Sequence, residues 1–302
     1  MRLRHPNVVR FVGVGAAAPA DPWRTLFLAQ EFCDRGSMKA RLFRQMREPF
    51  IHTYAYAEAL RWASEIAAGL AFLHAARPKV IHRDLKADNV LLATGPGGEE
   101  VAKIADLGLH VLVQNVSLAR SGGSATPRSG GSSLHGGDAA AFALADAGSP
   151  MRADAVAPNA PSGGRSLSYA LTGRTGAFCY MAPEVLMGQP YSESVDVFSL
   201  GVIMHELFAR RLLCAALMNT TEWDESEGHA RRVAAGFRPA IPAELPQELR
   251  ALIDACWHGV PDLRPSAREV VRRLAAIEAT GALAAMDAQK AAAKGGACCV
   301  VQ

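Results

Sequence analysis

The sequence predicts an α+β fold: a short β-rich start followed by a mainly helical body. Three observations carry this. Short β-branched and aromatic runs occupy 8–14 and 26–32, a long amphipathic stretch runs from Ala55 to Ala76, and helical periodicity recurs through the second half. In chain order, the first two runs read as strands separated by a loop at Pro19, Asp21 and Pro22, with Gly13-Val14-Gly15 as the turn leaving the first. Ser37 is placed to cap a short helix reaching about Met46. Leu60, Ala63, Ile66, Ala67, Leu70 and Leu73 recur at helical spacing and predict one long helix. Val90–Leu92 and Val101–Ile104 flank Gly95-Pro96-Gly97-Gly98 and predict a hairpin. Helices are expected over 183–187, 195–209, 222–235, 246–256 and 265–279.

Half of the 302 residues are apolar, enough for one large domain, or a domain with a tail. The formal charge of +3 is small for this length, and no nucleic-acid partner is expected from it. The six cysteines show no paired spacing and read as reduced thiols in a cytoplasmic protein. No stretch has the form of a signal peptide or a membrane span. Residues 117–166 are rich in Ser, Gly, Ala and Pro, too poor in large apolar side chains to offset ordering entropy, and are expected to be a disordered insertion. The Ala-rich residues 280–302 are expected to be a flexible tail.

The chemistry is concentrated in His82-Arg83-Asp84-Leu85-Lys86-Ala87-Asp88-Asn89, followed 17 residues after Asn89 by Asp106-Leu107-Gly108. An acid and an amide sit in one tight turn, and a second carboxylate lies one hairpin further on. That set can orient a hydroxyl nucleophile and hold Mg²⁺ against a triphosphate.

These two motifs resemble the catalytic-loop and metal-binding signatures of the protein kinase superfamily. The resemblance extends along the chain: His5-Pro6-Asn7-Val8-Val9 as the segment joining the regulatory helix to the fourth strand of the small lobe, Glu31-Phe32-Cys33 as the hinge, Met181-Ala182-Pro183-Glu184 closing the activation segment, and Asp196 through Gly201 in the buried large-lobe helix. Cys256-Trp257 with Leu263-Arg264-Pro265 is similar to the tyrosine-kinase-like serine/threonine group, and Lys86 fits the serine/threonine pattern. The resemblance implies a remnant of the small lobe at 1–32 and a large lobe at 33–279, with ATP and Mg²⁺ as cofactors and a protein substrate.

Residue by residue, it implies that Asp84 orients the substrate hydroxyl, Lys86 neutralises the transferred group, and Asn89 and Asp106 hold Mg²⁺. Cys33 would offer main-chain groups to adenine and Leu91 would form the floor of its pocket. Arg83 would read a phosphate at Thr172 or Thr175. His82 and Leu107 would stack in an apolar column, Asp196 would be structural, and Glu184 would pair with Arg264 in the interior.

Two departures bear on activity. Ala177 follows Gly176 where the family usually has a hydroxyl. The Gly-rich loop and the strand Lys with its helix Glu are also missing, the chain starting about five residues after that Glu would fall. The expected reading is a serine/threonine kinase lacking the first part of its small lobe, in which Val8, Val9, Phe11, Val12, Leu26 and Leu28 form a two-stranded remnant with an uncovered face. The alternative is a catalytically impaired pseudokinase serving as a binding scaffold. Cys299-Val300-Val301-Gln302 has the form of a prenylation signal, with Cys298 a candidate for palmitate, which would place the protein peripherally on a membrane.

Overall fold

The computed structural model describes residues 3–17, 24–48, 51–107, 111–113, 178–213 and 223–296. Residues 1–115 and 168–302 form one compact unit; the expected insertion at 117–166 lies outside the described residues.

Strands β1 (Phe11–Ala16) and β2 (Leu26–Gln30) pair antiparallel, Val14 opposite Leu28 and Ala16 opposite Leu26. The first strand therefore starts later than its β-branched run suggests, and Gly13-Val14-Gly15 lies inside it, not in a turn. The ring of Phe27 covers Gly15 so closely that a Cβ there would lie 2.5 Å from it, so the glycine marks a close approach. Val8 does not join the uncovered face: it is buried and bridges to Ile104, while the Val9 N–H donates to the Ile104 carbonyl at 2.8 Å. Phe11, Val12, Leu26 and Leu28 are exposed, Leu28 at 65%.

Helix α1 (Met38–Arg47) starts at Ser37, whose hydroxyl accepts from the Ala40 N–H at 3.2 Å. The long helix α2 (Tyr56–Ala75) buries Leu60, Ala63, Ile66, Ala67, Leu70 and Leu73, the stripe its sequence predicts. It is the central packing element of the described body. Short strand β3 (Lys79–Ile81) leads into the 82–89 turn, which ends in the 3₁₀ turn Ala87–Asn89. Strands β4 (Val90–Thr94) and β5 (Glu100–Ile104) form the expected hairpin, closed by Gly98 at φ 85°. Strand β6 (Val111–Val113) pairs antiparallel with β3.

Helices α3 (Pro183–Leu186), α4 (Ser194–Ala209), α5 (Trp223–Ala234), α6 (Gln247–Cys256) and α7 (Ala267–Ala279) follow within a residue or two of their expected ranges. Helix α4 is buried on nearly every side. α2 touches α4, α7, β3 and β5.

The expected tail is in part a helix. α8 (Ala282–Gly296) packs on α2 and α7, burying Leu283, with Met286 against the core. Its contact with α2 has a specific cause. The residue before α2 is Ala55, which has no side-chain acceptor, so the first helical N–H groups need another partner. Asp287 of α8 supplies it, accepting from the Tyr56 and Ala57 N–H groups at 2.9 and 3.0 Å.

Candidate active site

The 82–89 turn is clamped from below by Asp196, in the first turn of α4. Its two carboxylate oxygens accept from the main-chain N–H groups of His82 and Arg83 at 2.9 and 2.8 Å, and His74 Nε2 lies 2.8 Å away. Burial pulls the Asp196 carboxyl upward, but the His74 hydrogen bond and charge, His82 and the Arg83 amide outweigh it and hold it below its ordinary value. This grip has structural work to do. Arg83 stands at φ 70° and Asp106 at φ 58°, left-handed conformations that residues with a Cβ adopt only when their surroundings impose them. His82 Nε2 bonds the Ala105 carbonyl at 2.9 Å, tying the turn to the end of β5.

Above that anchor the chemical groups meet. Lys86 Nζ donates to Asp84 Oδ2 at 2.7 Å. Asn89 Nδ2 donates to the Asp84 carbonyl at 2.7 Å and to Asp84 Oδ2 at 3.0 Å. Because its nitrogen is committed to Asp84, Asn89 keeps its amide oxygen as an acceptor. The Ala105 N–H donates to the Asn89 carbonyl at 2.8 Å, which brings exposed Asp106 alongside Asn89 across the mouth of the hairpin. Among the described residues no three His, Cys, Asp or Glu side chains form a metal cluster. One amide oxygen and one carboxylate do suit Mg²⁺, a hard cation that takes few protein ligands and fills its shell with phosphate and water oxygens.

The segment expected to be the hinge leads into residues that pair with β4. The Arg35 N–H donates to the Leu92 carbonyl at 3.0 Å, the Leu92 N–H donates to the Gly36 carbonyl at 2.8 Å, and Ser37 bridges to Leu91. Leu91 is half-buried, and the main-chain N–H and C=O of Cys33 find no hydrogen-bond partner among the described residues. Burial and nearby Glu31 push the Cys33 thiol up, so it stays protonated. A cleft of about 560 Å³ between Leu107 and the β1 side is walled by Leu3, Val9, Phe11 and Val12. Leu107 itself packs against the core.

Further along, Arg264 donates to both carboxylate oxygens of Glu184, at 2.6 and 2.8 Å, with both side chains buried. The Arg83 guanidinium lies 5.5 Å from the Tyr191 ring centre. Thr172, Thr175, Gly176, Ala177, Cys298 and Cys299 lie outside the described residues, and so do the phosphate-reading and lipid-anchor expectations attached to them.

Three positioning contacts carry no sequence signal strong enough to have named them. His74 is a lone histidine at the end of α2. Lys39 of α1 holds Asp88, the neighbour of Asn89, at 2.8 Å. Asp287 is one acid in an Ala-rich stretch.

The comparisons agree with this architecture. A family model described as "Protein tyrosine and serine/threonine kinase" matches residues 1–128, and one described as "Protein kinase domain" matches residues 159–274. The chain belongs to the protein kinase family. Its similarity is to serine/threonine kinases of the tyrosine-kinase-like type. It is 29% identical over 276 residues to mitogen-activated protein kinase kinase kinase 7 of Homo sapiens, covering 90% of this chain and 33% of that protein. It is 24% identical over 279 residues to the probable serine/threonine-protein kinase roco7 of Dictyostelium discoideum, covering 92% of this chain and 8% of that protein. It is 27% identical over 277 residues to the dual specificity protein kinase shkA of the same organism, covering 90% and 39%. The chain therefore spans well under half the length of these relatives.

Proposed function

We propose that the protein transfers the γ-phosphoryl group of ATP to serine or threonine hydroxyls of a protein substrate. The observation that carries this reading is the direct contact of Asp84 with Lys86 and Asn89, with Asp106 alongside. Asp84 orients the substrate hydroxyl and accepts its proton. Lys86, already at hydrogen-bond distance from Asp84, neutralises charge gathering on the transferred group. The Asn89 amide oxygen and the Asp106 carboxylate would hold Mg²⁺, which would supply charge neutralisation for the phosphates. The unpartnered main-chain groups of Cys33 accept and donate to adenine over Leu91.

Thermal-shift titration and a peptide-phosphorylation assay test the reading. ATP binding should require Mg²⁺, be lost in Asp106→Asn and survive in Asp84→Asn, which should abolish whatever transfer is measured. Binding indifferent to Mg²⁺ and to Asp106 would refute it. Binding without any transfer would favour the scaffold alternative.

Two further parts of the reading concern residues beyond the described ones. Thr172 or Thr175 is the regulatory phosphosite whose phosphate Arg83 would read, and phosphopeptide mapping that finds only sites within 117–166 would overturn this. The protein is cytoplasmic and held to membranes through a prenylated Cys299, with Cys298 as the second signal. Membrane fractionation with and without Cys299→Ser, and the mass of the terminal peptide, decide that point.

A further inference from the structure

A second site suggests itself where α1, the end of α4 and α8 meet. A cleft of about 460 Å³ opens there between Tyr56, Arg210, Arg211, Lys290, His52 and Glu244. None of these belongs to the catalytic turn. The charge in the cleft is unbalanced: Arg210, Arg211 and Lys290 face one carboxylate, exposed Glu244, and none of the three is ion-paired among the described residues.

Arg210 and Lys290 are held in place, while Arg211 is exposed beside them. The Arg210 guanidinium lies 4.1 Å from the centre of the Tyr56 ring and donates to the Tyr54 carbonyl at 3.0 Å. Lys290 Nζ lies 4.5 Å from the same ring and 3.3 Å from its hydroxyl oxygen. One buried tyrosine thus gathers two like charges that repel each other. Arg210 also occupies the left-handed conformation, φ 55° and ψ 33°, at the end of α4, where glycine is the unstrained choice. The arginine therefore occupies this position against both backbone preference and local charge. Met46, Phe208 and Pro242 add apolar lining to the cleft.

We propose that this cleft binds a phosphate monoester through Arg210, Arg211 and Lys290. A planar guanidinium beside an ammonium is a donor set that recognises phosphate, and the volume lies within the roughly 300–1,000 Å³ of small-ligand sites. Arg210 caps the end of α4 and Lys290 belongs to α8, so an occupied site fastens α8 to the body alongside the Asp287 contact. The site is independent of phosphoryl transfer and stands or falls separately from it.

The test is thermal-shift and calorimetric titration of the full chain with inorganic phosphate, O-phosphoserine and, as controls, serine and sodium chloride at matched ionic strength. Inorganic phosphate or O-phosphoserine should raise the unfolding midpoint saturably, while the controls should not. Equal affinity for the two phosphates assigns a free phosphate ion, and tighter binding of O-phosphoserine assigns a phosphorylated side chain. The double variant Arg211→Gln/Lys290→Gln keeps Arg210 and its packing, so it should fold like the parent and bind about tenfold or more weakly. A response equal in parent and double variant would place the phosphate elsewhere and overturn the proposal. So would the absence of any saturable response in the parent.

Discussion

Removing Arg264 is the sharpest probe of how the activation segment is tied to the helical body. Its side chain is 0% exposed and that of Glu184 3%. Besides the two bonds to Glu184, its guanidinium donates to the Ser194 carbonyl at 3.1 Å and the His258 carbonyl at 2.8 Å. Arg264→Met deletes four hydrogen bonds and leaves the Glu184 carboxylate buried without its cation. Breaking a buried pair in this way costs about 3–5 kcal/mol. For a domain of this size each kcal/mol moves the unfolding midpoint by roughly 2–4 °C, so a fall of roughly 6–20 °C is expected. Glu184→Gln should fall less, because the amide can still accept one bond. The double variant should be milder than the sum of the two single variants, since it leaves no charge stranded. Urea titration of the four proteins measures all three quantities. Single-variant losses below about 1 kcal/mol with zero coupling would mean that the pair behaves like an exposed one, and the reasoning would fail.

Two other perturbations follow from the geometry. Asp287→Ala should cost about 0.5–2 kcal/mol, the usual worth of an N-cap, and speed hydrogen exchange at the Tyr56 and Ala57 amides while leaving the catalytic turn protected; unchanged exchange at those two amides would show that α8 does not cap α2. His205 donates through Nε2 to the Ala240 carbonyl at 3.0 Å, and its buried Nδ1 has no partner. Burial, which outweighs that hydrogen bond, together with Arg211 holds its pKa below the ordinary 6.5. The unfolded chain then binds the proton more readily, so this contribution to stability is fully present above pH 6.5 and is lost as pH falls below it. His205→Phe should flatten part of that acid-side slope in urea midpoints measured between pH 7.5 and 5, and an unchanged slope would refute the assignment.

What could be read from the sequence and what could not divide along physical lines. The catalytic turn was legible because Asp84, Lys86 and Asn89 are close in sequence and the hairpin to Asp106 is short, so spacing alone brings them together. The amphipathic stripe of α2 was legible for the same reason: one helix face is a local property. His74 and Asp196 meet across 122 positions, and no local pattern announces such a partner. α8 was read as a tail because alanine and glycine dominate its composition. Its docking groups Leu283, Met286, Asp287 and Lys290 nevertheless recur at three- and four-residue spacing, a signal that composition hid. At β1 the error ran the other way, since glycines that usually mark a turn served to admit the Phe27 ring.

The same division locates the parts of the site that bear on its stability. Asp84, Lys86, Asn89 and Asp106 are fixed by Asp196 of α4, by His74 of α2 and by Ala105 at the end of β5, none of which touches the β1–β2 hairpin through a hydrogen bond. That hairpin exposes Phe11 at 57% and Val14 at 60%, and two strands alone are marginal in water. Loss of the β1–β2 pairing is therefore expected to leave the geometry of Asp84, Asn89 and Asp106 unchanged. The cleft next to Leu107 is lined by Phe11 and Val12 of β1 and is expected to lose definition first. Under the proposed function, turnover lost on weakening β1–β2 is expected to trace to the nucleotide side of the site and not to the turn that carries Asp84.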